Sequence, residues 1–209
     1  MRSTSPVLPG TVFPHSRNEK ARVTLLAIDI CAFGDRRRDN LVQLHLRQQM
    51  YEKLGEACAI TCLPLPDCHQ EDRGDGVLII VPPDVQADDL LDPFAHHLTA
   101  VLRRYNRLAS QVSRLQLRVA VHTGLVHRDT HGVAGRALIH LFRLLEAPAF
   151  KNALNGIDAD LGMIVSDRLY NDAIDNGALI NPDAYRRMRI TCKETRTYAW
   201  VWFPPVSSR

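Results

Sequence analysis

Residues 23–30 (VTLLAIDI) form a continuous apolar run with one carboxylate, Asp29, beside its C-terminal end. A run of this length and composition reads as a buried strand. A chain built on such a strand has to cover it with helices. Asp29 is the one residue in it that apolar packing does not explain.

The segments that follow alternate between strand and helix signals. Leu41, Leu44, Tyr51, Leu54 and Cys58 recur at helical spacing, with Asp39 or Asn40 as N-cap. Residues 69–73 and 77–81 read as two short strands around Gly74-Asp75-Gly76, stopped by Pro82-Pro83. A second helix is predicted over 88–112 and an alternating strand over 115–123, ended by Gly124 and followed by a short return strand over 125–127. A third helix is predicted over 136–145, with Pro148 interrupting it and a short helical piece after. Residues 161–165 read as a strand, and Ser166 as N-cap of a helix over 167–174. Two closing strands, 185–191 and 197–203, flank a turn that holds Lys193. This order predicts an α/β (α+β sandwich) fold, a mostly antiparallel sheet flanked by helices.

Composition narrows the class further. The 209 residues are 45% hydrophobic and 23% charged, which excludes disorder, collagen-like repeats and a coiled coil. A net charge of +3 is too weak to argue for nucleic-acid binding. No apolar run approaches the roughly 20 residues of a membrane-spanning helix. Residues 1–20 hold three prolines and no apolar core segment, so they read as a flexible tail with no export signal, as do 206–209 for a second tail. Residues 21–205 are then expected to form one domain. Five cysteines in no common framework read as reduced thiols, which places the protein in the cytoplasm.

Asp29 at a strand end and Asp75 in a hairpin tip can converge in one sheet. Two carboxylates there would suit Mg²⁺ or Mn²⁺, and a pair of such ions would serve in-line attack at a phosphoryl group. Cys31, Ala32, Phe33 and Gly34 make a small turn whose N–H groups could receive phosphate at a helix N-terminus. The plainer alternative makes Asp75 a turn former and Asp29 a strand-end cap. Cys62, Cys68 and His69 are weighed as a zinc site, and His122 with His127 as a metal pair, each against a structural role. Arg36, Arg37 and Arg38 either steer an anion or form a solvated face. Trp200 and Trp202 read as packing or dimer-contact residues.

LAIDICAFGD, EDRGDGVLIIV, LRVAVHTGLV, GRALIHLFRLLEAP, MIVSDRLYNDAI and ITCKETRTYAWVW, in that order, resemble the successive motifs of class III nucleotidyl cyclases, the adenylate and guanylate cyclase catalytic domains, over about residues 22–203. The resemblance implies a palm-like, ferredoxin-like domain with two Mg²⁺ or Mn²⁺ ions per site. Asp29 and Asp75 match the metal ligands, Arg143 the transition-state arginine and Lys193 the triphosphate lysine. Glu71 matches the base reader, and glutamate there goes with guanine. It further implies a homodimer whose sites draw on both chains, and a 3′,5′-cyclic nucleotide and pyrophosphate as products. The chain departs from the pattern at three places: Ile139 stands where an Asn holds the ribose, Arg136 at the second base-reading position, and Ala32 where a glycine is usual. With Arg136 in place, UTP becomes an alternative to GTP. Two functions stay open: a divergent cyclase, or a silent cyclase-homology domain that binds nucleotide or dimerises in signalling, with an unknown regulatory partner. The Gly-Gly-Asp/Glu-Glu-Phe signature of diguanylate cyclases is absent.

Overall fold

The computed structural model describes residues 19–177 and 181–205. β1 (Glu19–Ile30) runs through the middle of one sheet, antiparallel to β3 (Gly76–Val81) on one side and to β4 (Leu117–Asp129) on the other. Both of its faces are apolar, so both are covered. Leu26, Ile28 and Ile30 pack with α1 (Asn40–Ile60) and α2 (Asp92–Asn106). Val23, Leu25 and Ala27 pack on the opposite face with α3 (Arg136–Leu145). β2 (His69–Asp72), β5 (Gly132–Ala134), β6 (Leu161–Ser166), β7 (Tyr185–Cys192) and β8 (Thr195–Trp202) complete the sheet. Its order is β2-β3-β1-β4-β6-β8-β7, with β5 paired to β4. Only β4 and β6 run parallel, so the expected mostly antiparallel α/β sandwich is the fold observed. α4 (Pro148–Asn155) lies on the α3 side, and α5 (Asp167–Asp175) on the α1–α2 side.

Several boundaries differ from the sequence reading, each for a physical reason. Glu19 and Lys20, expected in the tail, already pair with Arg128 and His127; residues 1–18 and 206–209 lie outside the described residues. The helix expected over 88–112 is split. Residues 87–90 form a 3-10 turn, and α2 begins at Asp92 with Pro93 in its first turn, where a missing N–H costs nothing. It ends at Asn106, whose side-chain amide exchanges hydrogen bonds of 2.8 Å with the Leu115 backbone and so turns the chain into β4. Gly124 does not end β4, which runs on to Asp129, and the return strand is β5 rather than 125–127. A Cβ at Gly124 would stand 2.5 Å from the Ala137 Cβ, so this glycine serves the close approach of α3. Asp39 does cap α1, accepting from the Val42 N–H at 2.9 Å. Ser166 occupies the cap position of α5 without capping it, because its hydroxyl is taken by His122 Nδ1 at 2.9 Å.

That contact belongs to a polar seam between α3 and β4. The rings of His122 and His140 lie 4.7 Å apart. Burial, then the neighbouring His140, pushes the His122 imidazole down to about 4. Between the ordinary value of 6.5 and about 4, the unfolded chain takes up a proton that the folded state refuses. Stability from this group is therefore fully present above pH 6.5 and is lost as the pH falls through that window. At about 1.4 kcal/mol per pH unit, the loss reaches roughly 3 kcal/mol. His122→Gln is expected to flatten the acid-side fall of the melting temperature. A slope equal to that of the unchanged protein would remove His122 as its source.

Candidate active site

The antiparallel register sets Asp29 opposite Gly76 on β3 and Arg118 on β4. Arg118 forks onto the carboxylate, Nε donating to Oδ1 at 2.8 Å and Nη2 to Oδ2 at 2.6 Å. Both side chains are only 14% exposed. Burial pushes the Asp29 carboxyl above its ordinary range, Arg118 opposes that shift, and the charge of Asp75 adds to it.

Asp75 arrives from the β2–β3 hairpin, whose tip is tied to two elements. The Ile30 N–H donates to the Asp75 carbonyl at 2.9 Å, and the Arg73 N–H to the Gly76 carbonyl at 2.8 Å. From α1, Arg47 and Tyr51 donate to the Asp72 carboxylate at 2.7 and 2.6 Å and hold it well below the usual carboxylate range; Arg47 also donates to the Gly74 carbonyl. Gly74 takes a positive φ of 86°, which fits a glycine, and Gly76 lies so close to β1 that a Cβ would fall 2.2 Å from the Ile28 carbonyl oxygen.

The result is a cleft of about 360 Å³ lined by both Asp29 and Asp75, with Arg73, Arg118, Glu146 and Lys151 around them. Two acids 46 positions apart in the numbering thus share one opening. Among the described residues no group of three or more His, Cys, Asp or Glu side chains forms a metal site. A cation here would have the carboxylates of Asp29 and Asp75, with Glu146 lining the same cleft, and oxygen from water or substrate for the rest, a donor set that fits Mg²⁺ or Mn²⁺. Arg118 holds both Asp29 oxygens, using one lone pair on each.

The other site residues fall elsewhere. Cys31, Ala32, Phe33 and Gly34 form a turn after β1, with Ala32 at φ 52°. This turn is not the N-terminus of α1, which starts at Asn40 behind the anionic Asp39 cap. The Cys31 N–H is spent on the Gln116 carbonyl at 2.8 Å, so it is not free for phosphate. The arginine run divides. Arg38 donates to the carbonyls of Cys31, Ala32, Val112 and Arg114, clamping the turn, while Arg37 pairs with Asp35 and Arg36 is exposed. Arg143 on α3 reaches Glu194 at 3.1 Å in the β7–β8 turn, beside Lys193 with its φ of 51°. Ile139 lies one helical turn before Arg143 and is 51% exposed. Glu71 accepts from Arg73 at 2.6 Å and pairs with His69 Nε2 at 3.0 Å; Arg136 is exposed at the start of α3. None of Glu71, Arg136, Arg143 and Lys193 lines the Asp29–Asp75 cleft.

The remaining candidates resolve as structure. Cys62, Cys68 and His69 make no metal cluster; the Cys68 thiol donates to the Pro64 carbonyl, and all five cysteines are free. His122 and His127 differ in strand parity and face opposite sides of β4, so the histidine beside His122 is His140 instead. Trp202 is buried in the core and Trp200 stacks on Tyr170 at 3.9 Å. Sequence reasoning missed Arg118 and Lys151. Arg118 was visible as a cation on the polar face of an alternating strand; Lys151, on a short helix after a proline, carried no local signal.

No protein-family model matches the chain, and no curated protein sequence matches it. Solved structures do. An adenylate/guanylate cyclase/hydrolase from Silicibacter pomeroyi superposes with a TM-score of 0.65 at 18% identity, over 90% of this chain and 100% of that one. The guanylyl cyclase Cya2 gives 0.59 at 16% identity, over 90% and 93%. The guanylate cyclase domain of RhGC from Catenaria anguillulae, solved in complex with GTP, gives 0.55 at 13%, over 91% and 100%. At these identities the likeness is one of fold. Among the described residues no helix is long and apolar enough to cross a membrane.

Proposed function

From the premise that this chain is a divergent domain of the class III cyclase fold, we propose that it is a nucleotidyl cyclase. It converts a nucleoside triphosphate, GTP in preference to UTP, into a 3′,5′-cyclic nucleotide and pyrophosphate at a site shared by two copies of the chain. The observation that carries this reading is the cleft lined by Asp29 and Asp75 with three cationic side chains, Arg73, Arg118 and Lys151. Two Mg²⁺ or Mn²⁺ ions held by Asp29 and Asp75 would lower the pKa of the substrate 3′-hydroxyl and neutralise phosphate oxygens.

The chain's own groups supply the rest. The 3′-oxygen forms a bond to the α-phosphorus, the bond from that phosphorus to the bridging oxygen breaks, and the hydroxyl proton passes to water. Arg143 and Lys193 come from the other copy and balance charge on the phosphates as pyrophosphate leaves. The separation of Arg143 and Lys193 from the Asp29–Asp75 cleft supports a two-chain site. Glu71 accepts from the N1–H and amino group of guanine; its carboxylate has about four lone-pair positions, of which Arg73 and His69 use two. Arg136 would face the base's exocyclic oxygen.

The second reading, a nucleotide-binding module without turnover, rests on Ile139, which can make no hydrogen bond to a ribose. One assay separates the two. Purified protein is incubated with each of four nucleoside triphosphates and Mn²⁺, and cyclic nucleotide and pyrophosphate are measured. Turnover with GTP is expected, and Ile139→Asn, at an exposed position, is expected to raise it about 10- to 100-fold. Nucleotide binding with no cyclic product from either protein would favour the silent module.

A further inference from the structure

Arg118 is the group the sequence reading did not use, and it takes the most consequential partner in the cleft. Its fork occupies both oxygens of Asp29 at 2.6 and 2.8 Å, with each side chain 14% exposed. Arg118 Nε and Nη2 fill one lone pair on each oxygen, two of the four, and take the edge on which the carboxylate would chelate a cation; a bidentate guanidinium is the protein group that best matches a carboxylate. Asp75, by contrast, is exposed at the hairpin tip. The two carboxylates are therefore not equally available.

We infer that Arg118 is a built-in competitor for the divalent cation at Asp29: its fork latches the chelating edge of the carboxylate and offsets its charge, and the cation binds tightly once the guanidinium swings off. This inference rests on the reading of Asp29 as a metal ligand. A guanidinium forks onto phosphate as readily as onto carboxylate, so a polyphosphate entering the cleft offers Arg118 another partner and releases Asp29. By linkage, cation and polyphosphate then strengthen each other's binding. The chain would hold metal only weakly until nucleotide arrives.

The latch differs from simple charge repulsion, and lysine separates the two. Lysine keeps the positive charge but not the planar two-point grip. Mn²⁺ binding is measured by electron paramagnetic resonance of the free ion, on the full chain without nucleotide, for the unchanged protein, Arg118→Lys and Arg118→Met, with a thermal melt of each. Both variants are expected to bind Mn²⁺ about tenfold more tightly than the unchanged protein. A gain with methionine but none with lysine reduces the effect to charge and overturns the latch. No gain with either also overturns it, even if methionine leaves a poorly folded chain, because lysine keeps the counter-charge of Asp29. The double variant Arg118→Lys with Asp29→Asn tests the underlying reading. It is expected to lose the tight binding. If it binds as Arg118→Lys does, the cation is not held by Asp29, and the metal-site reading falls together with the latch.

Discussion

Asp29→Ala is expected to remove at least about 10³-fold of the Mn²⁺-dependent turnover. The carboxylate is one of only two acids of β1 and the hairpin in the cleft, so no neighbour on those elements can replace it. Its loss also leaves the Arg118 guanidinium, itself 14% exposed, without a counter-charge. Truncating one member of a largely buried pair costs about 3 kcal/mol, so the alanine variant is expected to melt lower as well. Asp29→Asn separates the two effects. Its amide oxygen still accepts one of the two Arg118 bonds, but the charge is gone and its NH2 faces the other donor, so only part of the stability should return while turnover does not. The check is cyclic-nucleotide production at saturating Mn²⁺ beside a thermal melt of each variant. Turnover by Asp29→Asn within a few-fold of the unchanged protein would falsify the role given to Asp29.

Gly76→Ala is expected to cost about 3 kcal/mol, a fall of roughly 10 °C in melting temperature for a domain of this size. The added Cβ would lie 2.2 Å from the Ile28 carbonyl oxygen and 3.1 Å from the Asp29 Cα. Both are backbone atoms of the central strand, which cannot turn aside as a flexible side chain can. The strain has to part β3 from β1 at the point where the hairpin delivers Asp75. Turnover is therefore expected to drop by more than the stability loss alone explains at a temperature where the variant is folded. Gly55→Ala in α1 is the control, since nothing stands within 4 Å of its Cβ; a better helix former there should stabilise slightly. Equal melting temperatures for Gly76→Ala and the unchanged protein would mean that β3 sits further from β1 than the pairing described.

Much of the fold was legible because its signals are local. The helix over 136–145 was bounded as observed, since its apolar face at Leu138, Leu141, Leu144 and Leu145 repeats at helical spacing. The misses came where a residue's usual meaning was overruled by a distant neighbour. Gly124 looked like a stop and is a contact with Ala137. Ser166 looked like a cap and is a partner of His122. Arg38 read, with its two neighbours, as steering an anion or as part of a solvated face, and is a clamp on four carbonyls.

The order of strands and helices, the apolar faces of β1 and the acids at 29 and 75 were determined by the sequence, because periodicity and turn chemistry act over a few residues. Which groups share the cleft was decided only by the tertiary structure. Strand register brings Arg118 to Asp29 across 89 positions, and helix packing brings Lys151 to the same opening. No local pattern encodes such a meeting, since it depends on how far each strand slides along the next before its apolar face is buried.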